Sequence, residues 1–259
     1  MNPALSIIIV SFNARIDLER CLESLRAAPP AASHEIIVVD NGSTDGSAAA
    51  AGQDAAVTVI EAGANLGFAR ANNVGIRAST GTNILLLNSD TIVPAGAIDR
   101  LLAELDRDDA IAVVGPRLVD GSGRAELSFG PMIGPLNELR QKRLARSGSV
   151  EALTTARQYP DWVSGACLLV RRRDAEAVGG LDERYFMYTE DVDFCAAIRA
   201  AGRRILFTPD VEIVHLRGRS AATAPIATRD HYRRSQQAFY DKHHPAWAPL
   251  LKLYVRIFR

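Results

Sequence analysis

Five carboxylates and one histidine carry the chemistry open to this sequence. Asp40 closes the apolar run Ile36-Ile37-Val38-Val39, and Asp90 follows Ile84-Leu85-Leu86-Leu87-Asn88-Ser89. Glu190-Asp191-Val192-Asp193 puts three acids in four positions, and His215 ends the run that begins at Val211. Carboxylate oxygens with one imidazole suit a hard divalent cation, Mg2+ or Mn2+, and such ions commonly join a protein to diphosphate oxygens. Asp40, on a strand of its own, suits a different role, reading a ribose or a base, since its carboxylate would accept the N3–H of a uracil or thymine. Each feature also has a plainer use. Asp40 before Asn41-Gly42-Ser43 forms turns, Glu190 and Asp191 cap a helix, and a histidine on an apolar strand packs in a core.

The elements that must position these groups are legible. Leu5 to Ser11 and Asn83 to Asp90, an aliphatic run ending in a polar cluster, read as strands of the kind buried on both faces of a sheet, and Glu35 to Asp40, Val57 to Glu61 and Ile111 to Val114 as further strands. Leu18, Cys21, Leu22 and Leu25 recur at helical spacing, as do Ile98, Leu101, Leu102 and Leu105, and Asn65 to Ala78 begins as a loop and becomes a helix. Trp162 to Val170 predicts one strand, Val192, Cys195 and Ile198 a helix, and Arg204–Phe207 and Val211–Val214 two strands. Strand and helix alternate, which predicts an α/β fold on a mostly parallel central sheet with right-handed crossovers. Ligands of such sheets bind beyond the carboxyl ends of the strands, where Asp40 and Asp90 stand. Residues 117–160 break the pattern with glycines, prolines and a basic, helical Leu136–Leu153 segment, and read as an insertion over the sheet edge.

Composition excludes several classes. The 259 residues are 47% hydrophobic and 23% charged with no net charge, an ordinary globular balance. Cys21, Cys167 and Cys195 are too scattered for a metal or redox pair, which predicts a reducing, cytoplasmic setting. No leader and no membrane-spanning run is expected. Gly63, Gly67 and Gly75 do not make a dinucleotide fingerprint, and neither a phosphate-loop lysine nor a Ser-His-Asp grouping is readable.

Together these segments resemble the inverting, family-two nucleotide-sugar glycosyltransferases of GT-A fold. The carriers are Ser6-Ile7-Ile8-Ile9-Val10-Ser11-Phe12-Asn13, Val38-Val39-Asp40-Asn41-Gly42-Ser43, Leu87-Asn88-Ser89-Asp90, Trp162-Val163-Ser164-Gly165-Ala166 and Tyr185-Phe186-Met187-Tyr188-Thr189-Glu190-Asp191. Asn65-Leu66-Gly67-Phe68-Ala69 with Asn72-Asn73-Val74-Gly75 is similar to the rhamnosyltransferase-like branch. The resemblance implies that Ser11, Asn13 and Asp40 hold a pyrimidine nucleoside and that Asn65 and Arg70 border nucleotide and sugar. It implies that Asn88 and Ser89 lead to Asp90, a metal ligand joined by His215. Asp191 is then the catalytic base with Glu190 beside it, and Trp162 and Gly165 line the acceptor side. A like charge on Glu190 would raise the proton affinity of the base. Asn88 departs from the family's first acidic residue, which weakens that position as a ligand.

The implied reaction moves a sugar, L-rhamnose among the candidates, from a dTDP- or UDP-sugar to a saccharide or lipid-linked acceptor. A sugar nucleotidyltransferase and an inactive sugar-nucleotide-binding module remain as alternatives, and no nucleic-acid partner is implied. Residues 1–215 form the expected transferase domain and 216–259 a basic helical extension with nine Lys/Arg against two Asp. In a helix, Leu250, Leu251, Tyr254, Ile257 and Phe258 fall together and Lys252, Arg256 and Arg259 on another side. Such a face suits a membrane interface, its own domain or a second subunit. His243 and His244 are expected to face solvent or a partner.

Overall fold

Seven consecutive buried residues, Leu5–Ser11, form β1 at the middle of the sheet. Its β-branched run is stiff at χ1 and packs well on both faces of a pleated surface. The computed structural model describes residues 2–146, 150–216 and 225–257. In chain order the elements are β1 (Leu5–Ser11), α1 (Arg15–Ala27), β2 (His34–Asp40), α2 (Ser47–Ala51), β3 (Val57–Glu61), α3 (Phe68–Ala78), β4 (Asn83–Asn88), β5 (Thr91–Ile92), α4 (Ala97–Asp106) and β6 (Ile111–Val119). They continue as β7 (Phe129–Gly130), α5 (Pro135–Arg146), α6 (Val150–Leu153), β8 (Trp162–Val163), β9 (Cys167–Arg171), α7 (Arg172–Ala177), α8 (Glu190–Ala200), β10 (Arg204–His215), α9 (Pro225–His243) and α10 (Ala248–Ile257).

The main sheet has the order β3-β2-β1-β4-β9-β6-β10-β5. Strand register decides where the polar ends fall. Ser11 pairs with Asp40 across β1 and β2, and Val10 with Asn88 across β1 and β4, so three strands end along one rim. Side chains alternate between two core layers: Ile7, Ile9, Leu85 and Leu87 join α1 and α4 on one face, while Ile8, Ile84 and Leu86 join α8 on the other. The stripes Leu18/Cys21/Leu22/Leu25 and Ile98/Leu101/Leu102/Leu105 are the buried faces of α1 and α4.

The mostly parallel sheet is as expected, and two strand readings change. The sheet is mostly parallel, but β9 runs antiparallel between β4 and β6, and β5 is antiparallel to β10. The chain re-enters the sheet at the rim where β4 ends, and can only run back. The predicted strand Trp162–Val170 is two elements: β8 leaves the main sheet to pair with β7, and β9 begins after the turn at Ser164–Ala166. Arg204–Phe207 and Val211–Val214 are one strand whose register slips between Thr208 and Glu212, around Pro209, which has no N–H to give the ladder.

Helix α9 packs along the segment that carries the acidic run. Phe239 is buried against Tyr185 and Val192. Asp193, itself buried, accepts from Lys242 Nζ at 2.8 Å and from Tyr185 Oη at 3.2 Å, and lies 2.6 Å from His243 Nε2. His244 Nε2 meets the Ile133 carbonyl at 2.7 Å. His243 and His244 therefore contact their own chain, because α9 turns their rings onto the body. Lys252 pairs with Asp241 at 3.0 Å. Arg217, Arg219, Phe258 and Arg259 lie outside the described residues. No helix among the described residues is long and apolar enough to cross a membrane.

Candidate active site

Asp40 and Ser11 stand at the ends of β2 and β1, both buried. Asp40 Oδ2 accepts the Ser43 N–H at 3.0 Å, so the turn-former reading of this residue is realised with half of its carboxylate. The other half, Oδ1, is buried with no hydrogen-bond partner among the described residues, and Ser11 Oγ is in the same state. Buried polar atoms are seldom left unpaired, and a cluster of them needs a ligand or water. Asn13, at φ 48, accepts the Thr44 N–H at 2.8 Å, which ties the loop after β1 to the loop after β2. Asn65 Oδ1 accepts from Gly67 N–H and Asn41 Nδ2, both at 3.0 Å, and so shapes the loop before α3. Arg70 is exposed and lies 3.6 Å from Glu183.

Asp90 and His215, 125 residues apart in the sequence, meet at 3.3 Å between Oδ1 and Nε2. β5 brings them together by pairing Thr91 with His215. Asn88 Nδ2 is 3.4 Å from the same ring nitrogen, and Asn88 Oδ1 is buried without a partner among the described residues. Ser89 lies half-buried between Asn88 and Asp90. The other face of the imidazole meets a residue that sequence reasoning missed: Glu126 Oε2 is 3.1 Å from Nδ1. Burial opposes charge on His215, but Asp90 and Glu126 outweigh it and raise its pKa to about 9. No group of three or more His, Cys, Asp or Glu side chains converges as a metal cage among the described residues. The donor set here is instead one carboxylate, one imidazole and the unpartnered Asn88 carbonyl. That set fits a hard cation which takes its remaining ligands from phosphate and water.

Glu190 and Asp191 open α8. The turn before them is strained: Tyr188 and Thr189 have φ of 70 and 72, a region costly for a β-branched residue. Asp191 Oδ1 accepts its neighbour Val192 N–H at 2.8 Å within the first turn of the helix, while the N-cap position itself is Thr189, which makes no side-chain cap bond. Its Oδ2 accepts the Gly165 N–H at 2.9 Å. Burial raises the Asp191 pKa, against the hydrogen bonds from Gly165 and Val192. Glu190 is raised well above its usual range, first by burial and then by the Asp191 charge, and its Oε2 has no partner among the described residues. Burial and the Asp191 charge thus favour the protonated form of Glu190, while the Gly165 and Val192 N–H groups favour the ionised form of Asp191. The coupling runs opposite to the direction expected from the sequence, because the Asp191 charge raises Glu190 while the Gly165 and Val192 N–H groups serve Asp191.

Gly165 and Ala166 connect the two halves of the site. While Gly165 N–H holds Asp191, the Ala166 carbonyl accepts the Asn88 N–H at 2.9 Å. A Cβ on Gly165 would lie 3.2 Å from Asp191 Cβ and 3.6 Å from Phe68 Cε1, which brings in Phe68, a wall of the site not assigned from the sequence. Phe68 N–H bonds the Phe186 carbonyl at 2.6 Å, so the loop before α3 is fastened to the turn before Glu190. Gly67 makes this approach possible: at φ 84, a Cβ there would be 2.4 Å from the Phe186 carbonyl oxygen. Trp162 is half-buried and spends its Nε1–H on the Pro131 carbonyl at 2.9 Å.

Comparison with known proteins identifies the family and the fold. The model of the family described as Glycosyl transferase family 2 matches residues 6–175. An N-acetylglucosaminyl-diphospho-decaprenol L-rhamnosyltransferase of Mycobacterium tuberculosis is 32% identical over 273 residues, 96% of this chain and 89% of that protein. A mannosyltransferase of Pyrobaculum calidifontis, solved with GDP-Man and Mn2+, superposes with a TM-score of 0.65 at 21% identity, over 97% of this chain and 69% of that one. GalNAc-T7, solved with UDP, GalNAc and Mn2+, superposes at 0.61 with 18% identity, over 83% of this chain and 44% of that one. The fold is thus GT-A-like, a mixed α/β architecture.

Proposed function

The chain belongs to glycosyl transferase family 2, and from that premise we propose that it is an inverting transferase. It would move a sugar, L-rhamnose first among candidates, from a dTDP- or UDP-sugar to a saccharide or lipid-linked glycan acceptor in cell-surface polysaccharide synthesis. One observation carries the reading. The unpartnered buried atoms Ser11 Oγ, Asp40 Oδ1 and Asn88 Oδ1 fall along the rim where β1, β2 and β4 end, and Gly165-Ala166 joins that rim to Asp191. The rhamnosyl assignment draws on the Mycobacterium tuberculosis relative, whose name gives a lipid diphosphate sugar as acceptor.

In this reading Asp40 Oδ1 accepts the base N3–H, with Ser11 and Asn13 beside the nucleoside and Asn65 and Arg70 on the loop that borders the sugar. Asp90 and His215, with Asn88, would hold Mg2+ or Mn2+, which when bound offsets the negative charge of the diphosphate leaving group. The two superposed structures that contain Mn2+ support this choice. Asp191 takes the proton from the attacking acceptor hydroxyl. Its backbone hydrogen bonds favour its ionised form, while burial and the Asp191 charge favour the neutral form of Glu190, so the pair supplies one base. Trp162 and Gly165 stand on the acceptor side.

The C-terminal helix supports a peripheral membrane setting on the cytoplasmic side. Of the expected face, Leu251 packs against the Tyr185/Val192/Phe239 cluster, and the exposed stripe is Trp247, Leu250 and Leu253, at 51%, 58% and 54%, with Arg256 also exposed nearby. An apolar stripe beside basic residues suits an anionic lipid interface, and a homodimer contact is the competing use of the same face. The deciding experiment is incubation of the chain with dTDP-L-rhamnose or UDP-sugars and a GlcNAc-diphospho-lipid. Transfer to the lipid supports the reading; neither transfer nor donor hydrolysis with any of these donors contradicts it.

A further inference from the structure

We propose that Glu126 is a positioning residue for the cation: it fixes the proton of His215 on Nδ1 and turns Nε2 toward Asp90 and Asn88. This rests on the cation reading of Asp90 and His215 given above. Glu126 sits just beyond β6, where the chain reverses through Asp120–Arg124 and returns so that Glu126 N–H bonds the Leu118 carbonyl at 2.9 Å. The reversal presses the carboxylate inward, 9% exposed, against the far edge of the imidazole. Oε2 lies 3.1 Å from Nδ1, while Nε2 lies 3.3 Å from Asp90 Oδ1. An ionised carboxylate only accepts hydrogen bonds, so once a bound cation displaces the proton from Nε2 the ring must keep its remaining proton on Nδ1. The Nε2 lone pair is then left for a cation between His215 and Asp90. Glu126 is on the wrong side of the ring to be a ligand itself. Outer carboxylates of this kind orient metal-binding histidines, and their loss weakens metal affinity by ~10–100-fold.

A rival use is purely structural, a tie between the reversal and β10. The two differ in what a substitution changes. The full chain is titrated with Mn2+ at fixed UDP, and the Mn2+ concentration that half-completes the UDP-dependent rise in Tm is read. Glu126→Ala is expected to raise that concentration by ~10–100-fold, and Glu126→Gln by less, because its amide oxygen still accepts from Nδ1–H. The UDP shift in EDTA stays the same in all three proteins. A folded Glu126→Ala protein with the wild-type Mn2+ midpoint overturns the proposal. The tautomer can also be read without substitution, from the imidazole 15N shifts of His215 with Mg2+ and UDP bound. An Nδ1–H signature is expected, and an Nε2–H signature overturns the proposal. A wild-type chain with no Mn2+-dependent shift removes the cation reading itself, and does so before any substitution is made.

Discussion

The Gly165 N–H points at Asp191 Oδ2 from 2.9 Å, across 26 residues of sequence. The next carbonyl, Ala166, fixes Asn88 at 2.9 Å. One turn of backbone thus sets the spacing between the proposed base and the proposed cation corner.

Asp191→Asn removes the base at nearly unchanged size, although its amide nitrogen must give up either the Gly165 or the Val192 hydrogen bond. A base of this kind is worth ~10²–10⁴ in rate, so kcat for transfer should fall by about that factor. UDP affinity, measured by thermal shift, should not change. Retained turnover would take Asp191 out of the base role.

Gly165→Ala tests the spacing itself. The added methyl, 3.2 Å from Asp191 Cβ, forces a shift of a few tenths of an ångström. Misplacing a catalytic group by 1 Å costs roughly a hundredfold, so a loss on the order of tenfold in kcat is expected. Donor affinity should hold, since Ser11, Asp40 and Asn88 keep their places. Equal loss of donor affinity and kcat would mean that the turn supports the whole site and not the base alone.

Glu190 makes a prediction about stability and pH. Its folded pKa is raised above the ordinary 4.5, so over the interval between the two the folded state binds more protons. Stability then falls as pH rises through that interval. Glu190→Gln cannot ionise and avoids this loss. Its Tm should exceed wild type at pH 8, and the gap should close toward pH 4. A gap of the same size at both pH values would show that Glu190 is not held neutral by the fold.

Most of the fold was readable, since the apolar runs that form β1, β2 and β4 and the stripes of α1 and α4 are local signals. Asp40, Asp90, Asp191 and His215 could be picked out because each sits next to such a signal. What failed to show was long-range. The antiparallel course of β9 depends on where the insertion returns the chain, which no local pattern records. Glu126 stands in a loop with no sequence signal around it, and its 3.1 Å contact with His215 is a long-range one. Asp193 looked like a third site acid, whereas Lys242, His243 and Tyr185 make it the clasp of α9.

The exposed stripe on α10 can be tested without removing the helix, whose Ala248 is buried. Leu250→Asp combined with Leu253→Asp should move the protein from vesicles containing anionic lipid to the supernatant in a sedimentation assay, with little change in Tm. Unchanged sedimentation, together with a shift from dimer to monomer, would assign the stripe to a second copy of the chain.

The most direct test of the whole site is a thermal-shift panel of UDP, dTDP, GDP and ADP, each with Mn2+ and with EDTA. A ligand at a hundred times its Kd stabilises by ~2.7 kcal/mol, which is easily read as a rise in Tm. The account predicts that UDP or dTDP raises Tm well above the purine nucleotides, that Mn2+ enlarges the rise, and that Asp90→Ala abolishes the Mn2+ increment alone. A rise that ignores both the base and the cation would contradict it.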